Sequence, residues 1–140
     1  MPTVTRIGMF ETNSSSTHSI IIAPGDFVPD TLPIRDEVCI VYPGEFGWEE
    51  RTYYSARTKA SYCLTYAQGD PELLDMLKRV IEAEVKVPVE FRPLNGQYYP
   101  WGYIDHQSSD IAEPAFRDET SLRAFIFNPN SELQTDNDNH

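Results

Sequence analysis

Nine residues near the N-terminus, Glu11-Thr12-Asn13-Ser14-Ser15-Ser16-Thr17-His18-Ser19, concentrate side chains able to do chemistry, six of the nine being hydroxyl-bearing. Consecutive serines offer hydroxyls together with unhindered backbone N–H groups, which is what a phosphate or another oxyanion needs from a binding loop. On that reading Glu11, Asn13, Ser14, Ser15 and Ser16 bind the ligand. His18 donates to the same anion or serves as general acid or base near neutral pH, with Glu11 orienting its ring. The plainer alternative is a polar loop whose serines satisfy their own backbone.

Two more polar strings carry candidates. Asp105-His106-Gln107-Ser108 follows the aromatic run Tyr98-Tyr99-Pro100-Trp101-Gly102-Tyr103. Asp105 and His106 are candidate catalytic residues and Ser108 a ligand-binding one. Neighbouring side chains on an extended strand point to opposite faces, so Asp105 and His106 share a pocket only if the chain turns between them. The alternative is an Asp that caps a turn beside a surface His. At the C-terminal end Asp136 and Asp138, flanked by Asn137 and Asn139, form an oxygen-rich set suited to a hard divalent cation such as Mg²⁺. The spacing is not that of a calcium loop, and the alternative is a solvated acidic tail.

These strings need elements to position them. Ile20, Ile21 and Ile22 predict a strand over 18–23, and Pro24, Pro29 and Pro33 make 24–36 an extended loop. Residues 37–42 read as a strand covered on both faces, because Val38, Cys39, Ile40, Val41 and Tyr42 form a continuous apolar run. Ala60, Cys63, Leu64 and Ala67 recur at helical spacing and predict a helix over 57–67. Asp70 as N-cap, Pro71 at N1 and the stripe Leu73, Leu74, Leu77, Val80 and Ile81 predict a second helix over 71–84. Residues 87–92 and 97–104 read as strands joined around Asn95-Gly96 in a hairpin with a longer loop. Asp118 caps a short helix over 119–125, although 125–127 can instead begin a last strand. Strands that follow a pair of helices point to a segregated α+β fold. The expectation is one domain spanning 1–140, a four- or five-stranded mostly antiparallel sheet packed against two or three helices.

Composition narrows the function. The chain has 140 residues and a net charge of −11, which argues against general electrostatic binding to nucleic acid or to an anionic membrane. Residues 105–140 hold eight acids against Arg117 and Arg123, a net −6. No stretch approaches the roughly 20 apolar residues of a membrane helix, and the first residues lack the apolar core of a signal peptide. Cys39 and Cys63 are too few for a disulfide framework, so both are expected in the core of a protein of the reducing cytoplasm. The aromatic residues Tyr98, Tyr99, Trp101 and Tyr103, with Trp48, Tyr53 and Tyr54, would stack a base or a sugar, or simply pack.

ETNSSSTHS, IDHQS and FIFNPNSELQTDNDNH resemble a family of small phage and bacterial proteins marked by an ETNSSS-x-HS signature. YPGEFGWE and KASYCLTYA extend the similarity over most of the chain. The resemblance implies a phage-type protein, working in the host cytoplasm if phage-encoded. It carries over no activity, catalytic residue or cofactor. Because the tail belongs to it, the resemblance implies that the tail folds back, so that 13–18, 105–108 and 136–138 converge on one pocket.

The expected function is a site for a phosphorylated small molecule or nucleotide, in a hydrolase or transferase or in a protein that sequesters the ligand. Two alternatives remain. One is an acidic inhibitor that mimics DNA against a host nucleic-acid-binding protein, and the other is a structural component of a virion.

Overall fold

The computed structural model describes residues 16–46, 50–96, 98–104 and 111–137, with the backbone alone for 16, 17, 136 and 137. The first helix, α1 (Ala56–Tyr66), opens on Ser55, whose hydroxyl accepts from the Thr58 N–H at 3.2 Å. A helix buried on most of its circumference lies largely within the core. This one buries Ala56, Lys59, Ala60, Tyr62, Cys63, Leu64 and Thr65 and leaves Arg57 exposed in its first turn. The expected stripe was only part of its buried surface.

The second helix, α2 (Pro71–Val85), starts as its signals require. The Asp70 carboxylate accepts from the N–H groups of Glu72 and Leu73 at 3.1 and 3.2 Å, and Pro71 needs no donor there. Its inner face is Leu77, Val80 and Ile81. The third, α3 (Glu119–Phe127), is capped by Asp118, which accepts from the Ser121 N–H at 2.7 Å. That bond holds the Asp118 carboxyl below its ordinary range. Leu122, Phe125, Ile126 and Phe127 are all buried, so 125–127 completes this helix and begins no strand. The three helices pack on one another around this apolar set.

The strands are β1 (Ser16–Ile21), β2 (Cys39–Val41), β3 (Glu45–Phe46), β4 (Arg51–Tyr53), β5 (Val89–Phe91), β6 (Tyr103–Ile104) and β7 (Glu132–Asn137). The fold is α+β, with its strands shared among three sheets. The main sheet is antiparallel in the order β1-β7-β4, and two small parallel sheets pair β2 with β5 and β3 with β6.

Two readings of the sequence are corrected. The expected hairpin is absent, since β5 pairs with β2 and β6 with β3. Asn95 and Gly96 do turn, but Pro93 and Pro100 on either side remove the donors a ladder would use. The chain closes that loop through Leu94 N–H to Pro100 O at 2.7 Å, and only Tyr103 and Ile104 of the aromatic run are strand. The second correction is β2, which is not covered on both faces. Cys39 and Val41 are buried while Ile40 between them is half-buried. A two-stranded parallel sheet has one face on the helices and leaves the other open.

Leading into β2 is a tight turn. Arg35 and Val38 exchange both backbone hydrogen bonds, at 2.9 and 3.1 Å, across Asp36 and Glu37. Both turn residues take left-handed φ, 53° and 64°, where Asn-Gly is the usual choice. Each L side chain there is strained by about 1 kcal/mol. Glu37→Gly is therefore expected to raise stability by about 0.5–1 kcal/mol despite the greater freedom of the unfolded chain, read as a higher urea midpoint at unchanged slope.

Candidate functional site

β7 is the middle strand of the main sheet. Its sequence alternates as a half-buried strand should: Leu133 and Thr135 are buried, Glu132 and Gln134 only partly. It is fixed at its start by Asn128 and Ser131, themselves buried. The Asn128 Oδ1 accepts from Asn130 N–H at 2.9 Å. The Ser131 hydroxyl donates to Ala124 O at 2.8 Å and accepts from Ala23 N–H at 2.9 Å. These polar residues turn the chain out of α3 and seat it beside the end of β1.

The pairing then aligns residues far apart in sequence. His18, Thr135 and Arg51 form one cross-strand row; Ser19, Gln134 and Thr52 form the next; Ile20, Leu133 and Tyr53 the third. Residues two apart on a strand share a face, so the first and third rows look inward. His18 is 5% exposed, and its Nδ1 lies 2.9 Å from the Tyr62 hydroxyl on α1. Burial pushes the Tyr62 phenol far above its ordinary range, so it stays neutral beside the imidazole. The Phe46 ring packs edge-on against Tyr62 with centroids 5.0 Å apart. Arg51 lies with its guanidinium 5.8 Å from the Tyr53 ring centroid. On the outward row Ser19 donates to Gln134 Oε1 at 3.2 Å.

A groove of about 680 Å³ runs across this end of the sheet. His18, Ser19, Arg51, Thr52 and Thr135 contribute hydroxyls, an imidazole and a guanidinium; Gln134 adds an amide and Glu50 a carboxylate. Several donors around one cation can take an oxyanion, and Arg recognises phosphate through its planar fork.

The sequence candidates divide as follows. Ser16 begins β1 opposite Asn137, and Asp136 in β7 stands opposite Thr17, so the N-terminal string and the tail meet through their backbones. Glu11, Asn13, Ser14, Ser15, Asp105, His106, Ser108 and Asp138 lie outside the described residues. Among the described residues Tyr62 is a partner that orients His18. Among those residues no three His, Cys, Asp or Glu side chains gather as a cation site. Cys39 and Cys63 are free and buried, and burial raises both thiols, which makes them packing residues rather than nucleophiles. Among the described residues no helix is long and apolar enough to cross a membrane.

Arg51, Thr52, Gln134 and Thr135 were missed as site residues. The alternation Leu133-Gln134-Thr135 was the available signal for β7, hidden by the polarity around it. Comparison with protein-family models, curated proteins and solved structures gives no match.

Proposed function

We propose that this protein binds a small phosphorylated molecule or nucleotide in the groove across the β1-β7-β4 sheet. The observation that carries the reading is the β1–β7 register, which pairs the end of the hydroxyl-rich N-terminal string with the tail, while Arg51 pairs with the tail's other edge. Arg51 takes the phosphate, with the Thr135 hydroxyl of the same cross-strand row as a further donor. His18, held by Tyr62, stands at the inner wall. If a bond is cleaved or transferred, His18 and Glu50 are the described groups able to move a proton; without such a step the protein sequesters its ligand. A phage-type protein in its host's cytoplasm would have use for either.

The test is titration calorimetry with AMP and ribose 5-phosphate, using adenosine and ribose as controls. A phosphorylated probe is expected to bind while its unphosphorylated counterpart does not. Arg51→Gln is expected to weaken binding at least tenfold, about 1.4 kcal/mol. Equal affinity for AMP and adenosine, or an Arg51→Gln variant that binds as well as the parent, would sink the reading.

A further inference from the structure

A second cleft lies away from the sheet groove, where the loop before β2 meets the start of α1. It encloses about 450 Å³, within the range of small-molecule sites. Leu32, Ile40, Val41 and Leu94 give it apolar walls, and Arg35 and Arg57 are the two cationic residues that line it. None of its lining residues carries a carboxylate. In a chain of net charge −11 that is a local reversal of sign.

The two arginines also differ from most others in the fold. Arg79, Arg92 and Arg123 each hold an acidic side chain within salt-bridge distance. Arg35 and Arg57 make no ion pair among the described residues. Both are positioned by backbone features. Arg35 is the first residue of the strained Asp36-Glu37 turn, closed on Val38. Arg57 stands in the first turn of α1, whose start is tied down by Ser55 and by Asp30, the latter accepting from Ala56 N–H at 2.9 Å. The same N-terminal helix turn favours negative charge.

We infer that this cleft is a binding site for an organic anion: a phosphate or carboxylate head held between Arg35 and Arg57, on an apolar, ring-sized body lying against Ile40 and Leu94. Two like charges without acids between them are stabilised by an anion that both can hold, and the guanidinium fork suits either head group. The half-buried Ile40 face of β2, left open by the two-stranded sheet, is where the apolar body sits. This site stands apart from the sheet groove and shares no lining residue with it.

The experiment titrates the full chain with phenyl phosphate, hydrocinnamate and inorganic phosphate by calorimetry. Phenyl phosphate or hydrocinnamate is expected to bind at least tenfold tighter than inorganic phosphate, and whichever is tighter identifies the head group. Arg57→Gln and Arg35→Gln are each expected to lower that affinity at least fivefold, with unchanged melting temperature because neither side chain supports the fold. Arg57→Lys keeps the charge without the fork and is expected to fall between. Arg51→Gln is expected to leave this binding intact, which separates the outcome here from that at the sheet groove. Inorganic phosphate binding as tightly as phenyl phosphate would reduce the cleft to surface charge. Absent binding of both organic anions, or affinities unmoved in both arginine variants, overturns the assignment.

Discussion

Lys59→Ala is expected to destabilise the native state by about 3–5 kcal/mol. Lys59 is fully buried on α1, and its Nζ donates to Asn128 O at 2.8 Å and Ser131 O at 2.9 Å. Asn128 is the C-cap of α3, a helix with no basic residue in its own last turn. A lysine from a neighbouring helix therefore supplies what that terminus lacks, and it does so where β7 is launched. Truncation to Ala takes the charged donor from both carbonyls; Asn128 O keeps its bond from Ser131 N–H at 2.9 Å, whereas the buried Ser131 O loses this donor at about 1–3 kcal/mol, and the cavity left by the side chain adds about 2 kcal/mol or more. Lys59→Met keeps the stem and removes only the head, so it costs less.

The pH dependence gives that comparison its sign. Burial lowers the Lys59 ammonium from 10.5 to about 8, and the nearby Asp30 charge opposes this only in part. Between pH 8 and 10.5 the unfolded chain thus binds more protons than the folded one, and this group's contribution to stability rises with pH. Tyr62 and Cys63 act oppositely. Their folded-state values are raised, so stability falls as the unfolded chain begins to ionise them above about pH 9. Both remain in Lys59→Met, and their effect cancels in the difference. The stability gap between the parent and Lys59→Met is expected to widen by up to about 3 kcal/mol from pH 8 to 10.5. Urea denaturation at half-unit pH steps measures it, and a gap that stays constant would show that the ammonium is not held in a buried setting.

Gly102→Ala is expected to cost at least about 3 kcal/mol. Gly102 has φ +86°, and a Cβ there would lie 2.5 Å from Gly44 O and 2.8 Å from the Thr65 side chain. Neither neighbour can yield. Gly44 O accepts from Tyr103 N–H at 3.0 Å, while the Thr65 hydroxyl donates to Ser61 O at 2.9 Å and accepts from Gly44 N–H at 3.0 Å. The clash falls where β6 joins β3 and both meet α1. Gly69 provides the control, because it has the same φ of +86° with open space around it. Gly69→Ala is expected to cost only the backbone strain, about 1–2 kcal/mol. Thermal melts of both variants test this, and equal losses would refute the steric account.

Local signals in the sequence carried the helices. Asp70, Pro71 and Asp118 specify helix starts through bonds made within a turn of chain, so α2 and α3 begin where those residues stand. The apolar periodicity of Leu77, Val80 and Ile81 named the buried face correctly. The same reasoning failed for Pro93 to Tyr103. A turn residue pair predicts a turn, but strand pairing depends on donors and partners supplied elsewhere, and the prolines decided against a hairpin.

The candidate site was legible only in part. His18 was visible as a residue, yet Tyr62 beside it stands 44 positions away, and its row-mates Thr135 and Arg51 lie in a polar tail and in a segment, 45–54, whose pattern specifies no element. Lys59 carries no local signal of its role, because nothing within α1 announces the carbonyls that wait at the end of α3.

By itself, then, the sequence determined the α+β class, the starts of α2 and α3 and the burial of both cysteines, since these follow from hydrogen bonds and apolar spacing over a few residues. The tertiary structure alone decided that a polar C-terminal segment is the central strand, that a lysine is the buried cap of a distant helix, and that two arginines share an acid-free cleft. Those outcomes depend on which groups from remote parts of the chain meet, and buried polar groups accept only arrangements in which they find partners.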